Sequence, residues 1–578
     1  MSTVSELIPS FQRILSNYKF PNTNRVDEQF AITRFLKKFE VPDDSATSSL
    51  RSECWDNYIT FDNNLILDYP LPGIWYKVRE FLHRELVPTT SNSVRLPKGS
   101  EFRPTRGFNS LQARLETSRW TVTEEAFPRF CTLCYRHKGL KRAVGRRYKQ
   151  WYTSRKFSES LRESNKIIYE SFKDRDNFGF LIFQWKLRQI VEFTKGSRFS
   201  TVPKNNLTRR PINIEPFGNI ICQAEIGDSI RNTWLPKLHG VDLNNLQIEH
   251  RRRISDVESI ATIDLKNASD SISLSLVEFL FPKWFVSRIK SARSEFVYGP
   301  DGNYYLLNKV SSMGNGFTFE LMTLILTTLC RLLDPSSSVF GDDIIIDRTQ
   351  AGALISALVA AGFVVNEDKS FIDGPFRESC GANYHKSCGY VESYDFMYPE
   401  TIGDCVVIFN KLVRLQKKYP AFHGLWASLV RVIPKPLQGG RSLLFETIDY
   451  LELVGRSPTD DFTDLTDIDS ITFPPFFVTK KGHRKVCDIS DSKSVEAYLS
   501  SIQEESRNFT VATAFKFVSD ERTPCRKHLK PADWAKYEMY LDSGRKARDV
   551  ITGRGKWVSF QVLNNGWNYF QLSKCKLT

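Results

Sequence analysis

An α+β fold is predicted for this chain on three observations. Between Ile260 and Ser370 short runs rich in β-branched residues alternate with longer stretches of helical apolar spacing. Those elements follow the order strand, helix, helix, strand hairpin, helix, strand, and Gly341-Asp342-Asp343 falls in the hairpin. The composition, 41% hydrophobic, 13% aromatic and 25% charged, supplies ample material for cores. At roughly 100–200 residues per domain, 578 residues hold about three or four packed units.

IATIDL (260–265) reads as a buried strand that ends on a carboxylate, and Leu276–Arg293 has helical apolar spacing. Gly316–Leu333 reads as a second, largely buried helix. In SSVFGDDIIID (337–347) two β-branched runs flank the glycine and aspartates; a helix at Ala351–Ala361 and a strand at Gly362–Asn366 complete the unit. The N-terminal third is helix-like, broken by polar stretches at Val41–Ser52 and Val87–Arg106, and no catalytic chemistry is placed there. Beyond about residue 400 periodic signals are fewer. Ser457–Pro475 is acidic and proline-flanked but lacks the ordered ligand spacing of a calcium loop, so it reads as a solvated loop. No repeats occur.

Lys and Arg number 80 against 66 Asp and Glu, a formal charge of +14 that favours a polyanionic partner, nucleic acid ahead of membrane. The longest apolar run, Leu321–Leu333, is interrupted by threonines and Arg331 and falls short of the roughly 20 residues a span requires. The opening MSTVSELIPSFQRIL has no basic run followed by an unbroken apolar core, so no secretory leader is expected. Eleven cysteines scattered through the chain read as free thiols. Neither Cys131, Cys134 and His137 nor Cys380, His385 and Cys388 is joined by the second paired cluster that a structural zinc site needs. Between Tyr135 and Lys156 basic residues surround Tyr148, Trp151 and Tyr152. Arg146, Arg147 and Trp151 are the candidate nucleic-acid contacts there, with a solvated helix face as the plain alternative.

Asp264 closes one expected strand, and Asp342 and Asp343 occupy a hairpin turn some eighty residues later; packing of these elements side by side brings three carboxylates together. Such a concentration repels itself unless cations bind, and hard oxygen ligands with room for water and phosphate suit Mg²⁺. Two such ions drive phosphoryl transfer, one activating an attacking hydroxyl and the other stabilising the leaving pyrophosphate. Gly-Asp-Asp alone is weak, since a plain hairpin turn gives the same string. The spacing around it is what counts: Asp264 and Asp270, then SSMGNGFTFE (311–320), then FGDD (340–343), then NEDKSF (366–371).

Through ATIDLKNASDSIS (261–273), SSMGNGFTFEL (311–321), VFGDDIII (339–346), GPFRESCG (374–381) and, upstream, VPKNNLTRRPINIEP (202–216), the sequence resembles the RNA-directed RNA polymerases. Within them it is similar to the replicase subunit of positive-strand RNA bacteriophages, the leviviruses. The likeness covers about Arg198 to Gly389. It implies a right-hand polymerase of fingers, palm and thumb with a ferredoxin-like palm sheet. Residues 1–100 would form a helical region against fingers and thumb, 101–250 the fingers, 251–400 the catalytic palm and 401–578 the thumb and C-terminal region.

By that resemblance Asp264, Asp342 and Asp343 hold two Mg²⁺ ions, for which Mn²⁺ substitutes, and Asp264 and Asp342 bridge both. Asp270 sits by the incoming ribose, where a carboxylate accepts from the 2′-hydroxyl. Lys204, Arg209 and Arg210 line the nucleotide channel and hold the triphosphate, a surface basic loop being the alternative. Gly314 and Gly316 let backbone approach template or nucleotide, and Ser312, Asn315 and Thr318 offer short hydrogen-bonding side chains, a glycine-rich helix entry being the alternative. Many relatives carry Asn where this chain has Met322, which turns attention to Asn315 or Glu320. Lys369 is a candidate to protonate the leaving pyrophosphate, or else a solvated lysine; Arg377 and Glu378 match another motif or form a structural ion pair. The implied partners are single-stranded RNA template and product, ribonucleoside triphosphates, host translation elongation factors Tu and Ts and a ribosomal RNA-binding protein. No membrane is involved, and the place of action is the cytoplasm of an infected bacterium. A non-catalytic RNA-binding protein and a reverse transcriptase are the competing readings; the intact aspartate trio argues against the first, and Asp270 with Gly341 against the second.

Overall fold

A computed structural model gives the structure. It describes residues 26–38, 46–89 and 120–391, apart from 66, 68, 155–158, 174 and 204–207, with isolated positions at 11, 15, 102 and between 394 and 425, and short strands at 476–478 and 484–486. The acidic segment Ser457–Pro475, most of Val87–Arg106 and nearly all of the expected thumb lie outside the described residues. The described residues before 90 are largely helical, with α1 (Val26–Lys38), α2 (Ala46–Asn63) and α3 (Gly73–Glu85). The polar stretch Val41–Ser52 reads as linker from its composition, yet its second half is the start of α2.

Helices α4 (Phe127–Arg136), α5 (Lys138–Ser154), α6 (Glu159–Phe172) and α7 (Phe178–Ile190) follow a short strand β1 (Trp120–Val122), which pairs in parallel with β2 (Val191–Phe193). The strand pair β3 (Gly196–Pro203) and β4 (Arg209–Ile214) joins β7 (Phe296–Tyr298) and β8 (Tyr304–Leu306) in a four-stranded sheet ordered β4-β3-β7-β8. After β4 comes α8 (Phe217–Ser229), every residue of which is buried, and then the short helices α9 (Leu235–His239) and α10 (Leu246–Arg253).

The unit from Ile260 onward carries the carboxylates. Strand β5 (Ile260–Ile263) pairs antiparallel with β10 (Asp343–Asp347), which pairs antiparallel with β9 (Ser338–Phe340). Asp264 then interrupts the strand, and β6 (Leu265–Lys266) takes β11 (Val364–Val365) as its partner on the other side. The strand order is therefore β11, β5/β6, β10, β9, so sequence-distant strands meet at the centre. All of β5 is buried, as are Ile344, Ile345 and Ile346 of β10, which accounts for the near-continuous β-branched runs in both.

The helix expected over Leu276–Arg293 is instead two helices, α11 (Leu274–Leu280) and α12 (Lys283–Ala292). Pro282 explains the break, because proline forces the preceding Phe281 into extended backbone, φ −107° and ψ 152°. Ser273 caps α11 by accepting from the Leu276 N–H at 3.0 Å. Helix α13 (Thr318–Leu333) is the central one, buried without interruption from Glu320 to Cys330. α3 packs on it and is fastened to α14 (Ala351–Ala360) by the Trp75 indole N–H, which donates to the Ala357 carbonyl at 2.8 Å. A three-stranded meander, β12 (Phe376–Ser379), β13 (Ala382–His385) and β14 (Gly389–Val391), lies beyond.

His250 ties this meander to the central sheet. Its ring nitrogens bond Ser379 Oγ (2.8 Å) and Ser338 Oγ (2.9 Å), and it is fully buried. Burial and the nearby Arg253 push its pKa down to about 3. A histidine depressed in this way stabilises the fold above its ordinary pKa, and that stabilisation is lost as pH falls from about 6.5 towards 3. We expect about 3 kcal/mol less stability from this residue at pH 4 than at pH 7. Urea midpoints at the two pH values should differ more for wild type than for His250→Gln.

Candidate active site

The Gly341-Asp342 turn is tight, with Asp343 opposite Phe340 in the ladder. Gly341 has φ +65° and its absent Cβ would stand 2.4 Å from the Phe319 ring, so both conformation and space demand glycine there. Asp343 thus begins β10 rather than sitting in the turn with Asp342. The sheet order sets both against Asp264, the residue at which the neighbouring strand changes partner. Asp264 accepts from the Asn366 amide at 2.6 Å, its backbone N–H donates to Ser370 Oγ at 3.1 Å, and Lys369 Nζ stands 3.9 Å from its Oδ2.

The three carboxylates feel one another's charge. Burial first, and then the Asp264 charge, push the Asp342 pKa up, while Lys369 and Arg210 pull it back. Asp343 is pushed up to about 7 by burial, then by Asp342 and Asp264, against a hydrogen bond from the Cys380 N–H. Among the described residues no three His, Cys, Asp or Glu side chains close into a ready-made metal cage. The donor set is nevertheless the right one for a hard divalent cation, because Mg²⁺ takes one or two carboxylates and completes its shell with water and phosphate.

Asp270 lies one turn past β6 and is almost fully buried. Lys309 Nζ donates to its Oδ1 at 3.1 Å. Arg210 is exposed on β4 and acts electrostatically on Asp342, whereas Arg209 is held by Thr201, through its Oγ1 at 2.6 Å and its carbonyl at 3.3 Å. Lys204 lies outside the described residues. Lys369 is exposed and stands 3.9 Å from both Asp264 and Glu378, between two acids.

Around the second motif the short side chains are engaged within the protein: Ser312 Oγ with the Tyr58 hydroxyl at 2.9 Å, Thr318 Oγ1 donating to the Ser312 carbonyl at 3.1 Å, and Asn315 Oδ1 accepting from the Phe317 N–H at 3.0 Å. Glu320 pairs with Arg231 at 3.0 Å. The close approach at Gly314 and Gly316 is to this chain's own backbone. A Cβ on Gly314, at φ +106°, would lie 2.3 Å from the Asn213 carbonyl oxygen, and one on Gly316 would lie 2.7 Å from Ala224 N. Gly314→Ala is accordingly expected to destabilise the fold by about 2 kcal/mol, read as a lower urea midpoint with unchanged slope.

Arg377 and Glu378 do not pair with each other. They alternate on β12 and point to opposite faces: Arg377 is fully buried and donates to main-chain carbonyls, while Glu378 stands 3.9 Å from Arg34 and from Lys369. In the basic helix α5, Arg146 is exposed, Arg147 lies 4.7 Å over the Trp120 ring, and Trp151 stacks on Tyr148 with centroids 5.5 Å apart. Cys131 and Cys134 are buried thiols whose pKa values burial raises, Cys131 to about 12. Sequence reasoning missed Tyr58, Asp62 and Lys309. No local signal marks the first two, which meet their partners across some 250 positions.

The family described as RNA replicase, beta-chain, matches residues 118–542, well over half of the sequence, with Asp264, Asp342 and Asp343 inside the match. The chain belongs to that family. It is 38% identical over 315 residues to the RNA-directed RNA polymerase subunit beta of Qbeta virus strain MX1, covering 52% of this chain and 51% of that one. It is also 34% identical over 260 residues to the RNA-directed RNA polymerase beta chain of Enterobacteria phage GA, covering 43% and 48%. The chain thus spans about half the length of the curated relatives it matches. Among solved structures it is similar to the RNA-dependent RNA polymerase of a human picobirnavirus, at 15% identity, 47% of this chain, 61% of that chain and a TM-score of 0.30, a likeness too slight to carry an argument. No helix among the described residues is long and apolar enough to cross a membrane.

Proposed function

We propose that the chain is an RNA-directed RNA polymerase that copies a single-stranded RNA phage genome from ribonucleoside triphosphates. The observation that carries this reading is the meeting of Asp264, Asp342 and Asp343 at adjacent strand ends, each acid in the β9–β10 hairpin raised by burial and by its neighbours. Membership of the replicase beta-chain family supports it. On this reading the strand order β11, β5/β6, β10, β9 is a ferredoxin-like palm, with 101–250 as fingers and the region after 400 as thumb.

Asp264, Asp342 and Asp343 would hold Mg²⁺, or Mn²⁺ in its place. When bound, the cations lower the pKa of the attacking 3′-hydroxyl and neutralise the leaving pyrophosphate. Arg210, with Lys204 and Arg209, draws the triphosphate towards the carboxylates as a charge-assisted hydrogen-bond donor. Asp270 accepts from the ribose 2′-hydroxyl, and Ser312, Gly314, Asn315 and Thr318 shape the wall beside it. The Lys369 ammonium, already within 4 Å of Asp264, is placed to give a proton to pyrophosphate. Arg146, Arg147 and Trp151 contact the RNA strand. Elongation factors Tu and Ts and a ribosomal RNA-binding protein of the host complete the assembly in the bacterial cytoplasm.

The test is Mg²⁺-dependent incorporation of labelled nucleotides on an RNA template by the chain co-expressed with bacterial host factors. Ribonucleotide incorporation is the expected result. A deoxyribonucleotide preference indicates reverse transcription, and RNA binding without incorporation indicates a non-catalytic protein.

A further inference from the structure

We infer that Lys309 is a positioning residue for sugar selection, holding Asp270 so that one carboxylate oxygen stays open to a ribose hydroxyl; this rests on the polymerase reading above. The Lys309 side chain is 0% exposed. Its ammonium lies 3.1 Å from Asp270 Oδ1, 3.8 Å from Asp62 Oδ1 and 3.4 Å above the Tyr58 ring. A buried ammonium between two acids and an aromatic face is a fixed cation rather than a roaming surface one.

Its main chain is pinned as well. Asp62 accepts the backbone N–H groups of Asn308 and Lys309 at 2.9 and 3.0 Å, and the Asn308 amide donates to the Asp62 carbonyl at 3.1 Å. Helix α2 therefore sets where residue 309 can stand, and through it where Asp270 Oδ1 is engaged. Among the described residues the other oxygen, Oδ2, takes a single long contact, 3.3 Å from Ser269 Oγ, and Asp270 keeps a small exposed edge. A carboxylate with one oxygen neutralised and the other open is an acceptor and not a donor. It rewards a sugar that brings a hydroxyl proton and gives nothing to one that lacks it. Tyr58 joins the same framework to the second motif, since its hydroxyl bonds both Ser312 Oγ and the Asn213 amide.

The experiment compares kcat/KM for a ribonucleotide and its 2′-deoxy counterpart in wild type, Lys309→Met, Asp270→Asn and the double variant, each co-expressed with host factors and checked by thermal melting. Loss of the open acceptor should reduce the ribo preference of Lys309→Met about tenfold or more, a discrimination that a merely structural ion pair would leave unmoved. The double variant should show the same ratio as Asp270→Asn alone, because Lys309 acts only through that carboxylate. Folded Lys309→Met with the wild-type ratio overturns the inference while leaving the polymerase reading intact. Should Lys309→Met fail to fold, the uncharged double variant decides: a ratio different from that of Asp270→Asn, or a wild-type ratio in Asp270→Asn itself, overturns the inference. Wild type that makes no product from either sugar overturns both.

Discussion

Replacing Asp342 with Asn is expected to reduce ribonucleotide incorporation about 10³-fold or more, equivalent to about 4 kcal/mol of transition-state stabilisation. The reason lies in the opposing demands on this carboxylate. Its own burial and the Asp264 charge both make ionisation unfavourable, with Lys369 and Arg210 as the opposing influences. An amide of the same shape removes the repulsion, so the melting temperature of the variant should equal or exceed that of wild type. It also removes a charge with which, on the polymerase reading, the site would hold a divalent cation. Loss of activity together with retained or higher thermal stability is the signature of a group kept for chemistry at the expense of stability. Incorporation within threefold of wild type would refute the metal assignment, and loss of activity with a collapsed melting temperature would make Asp342 a structural residue.

The second large effect is expected on stability. Arg377 spreads its guanidinium over the carbonyls of Ile260 (2.7 Å), Val257 (2.5 Å), Ile372 (3.0 Å), Gly374 (3.0 Å) and Phe376 (2.7 Å). These acceptors belong to the entry to β5, the 372–374 turn and β12, so a single side chain fastens three segments beside the carboxylate sheet. Burial lowers its pKa, and no carboxylate takes a hydrogen bond from it among the described residues. Arg377→Met strands several buried acceptors at once, for which about 3–5 kcal/mol of destabilisation is expected. Arg377→Lys keeps the charge but not the planar fork and should fall between the two. Urea denaturation of the three proteins gives the ranking; a midpoint for Arg377→Met equal to wild type would show that water satisfies the carbonyls.

Much of the central unit was legible because its signals are local. Pro282 is the informative exception: the apolar spacing of 276–293 is helical throughout, and only the restriction that proline places on Phe281 divides it. Gly341 and the aspartates were legible because a two-residue turn between β-branched runs admits few residues. Asp62 and Tyr58 were not, since a carboxylate and a phenol on a polar helix carry no mark of partners beyond residue 300. Arg377 was visible as a motif residue but not as a clamp, because its acceptors are backbone groups that any sequence supplies. Resemblance assigns the glycines of the second motif to nucleotide approach; their tightest neighbours prove to be Asn213 and Ala224, which lie in the chain itself.

The bond between Tyr58 and Ser312 joins residues 254 positions apart, and the Trp55–Tyr58 face packs on Phe199, Val297, Tyr305 and Leu307. On a ribosome working at about 5–20 residues per second, that face waits roughly 10–50 s between its own synthesis and the emergence of its last partners. Until Phe199 is made the two large aromatic side chains on α2 have no native partner from that face, and until residues 297–312 follow the cover stays incomplete. Helix α2 is thus made long before the partners that complete its packing, and translation speed sets how long the nascent protein offers an adhesive face to its neighbours and to chaperones.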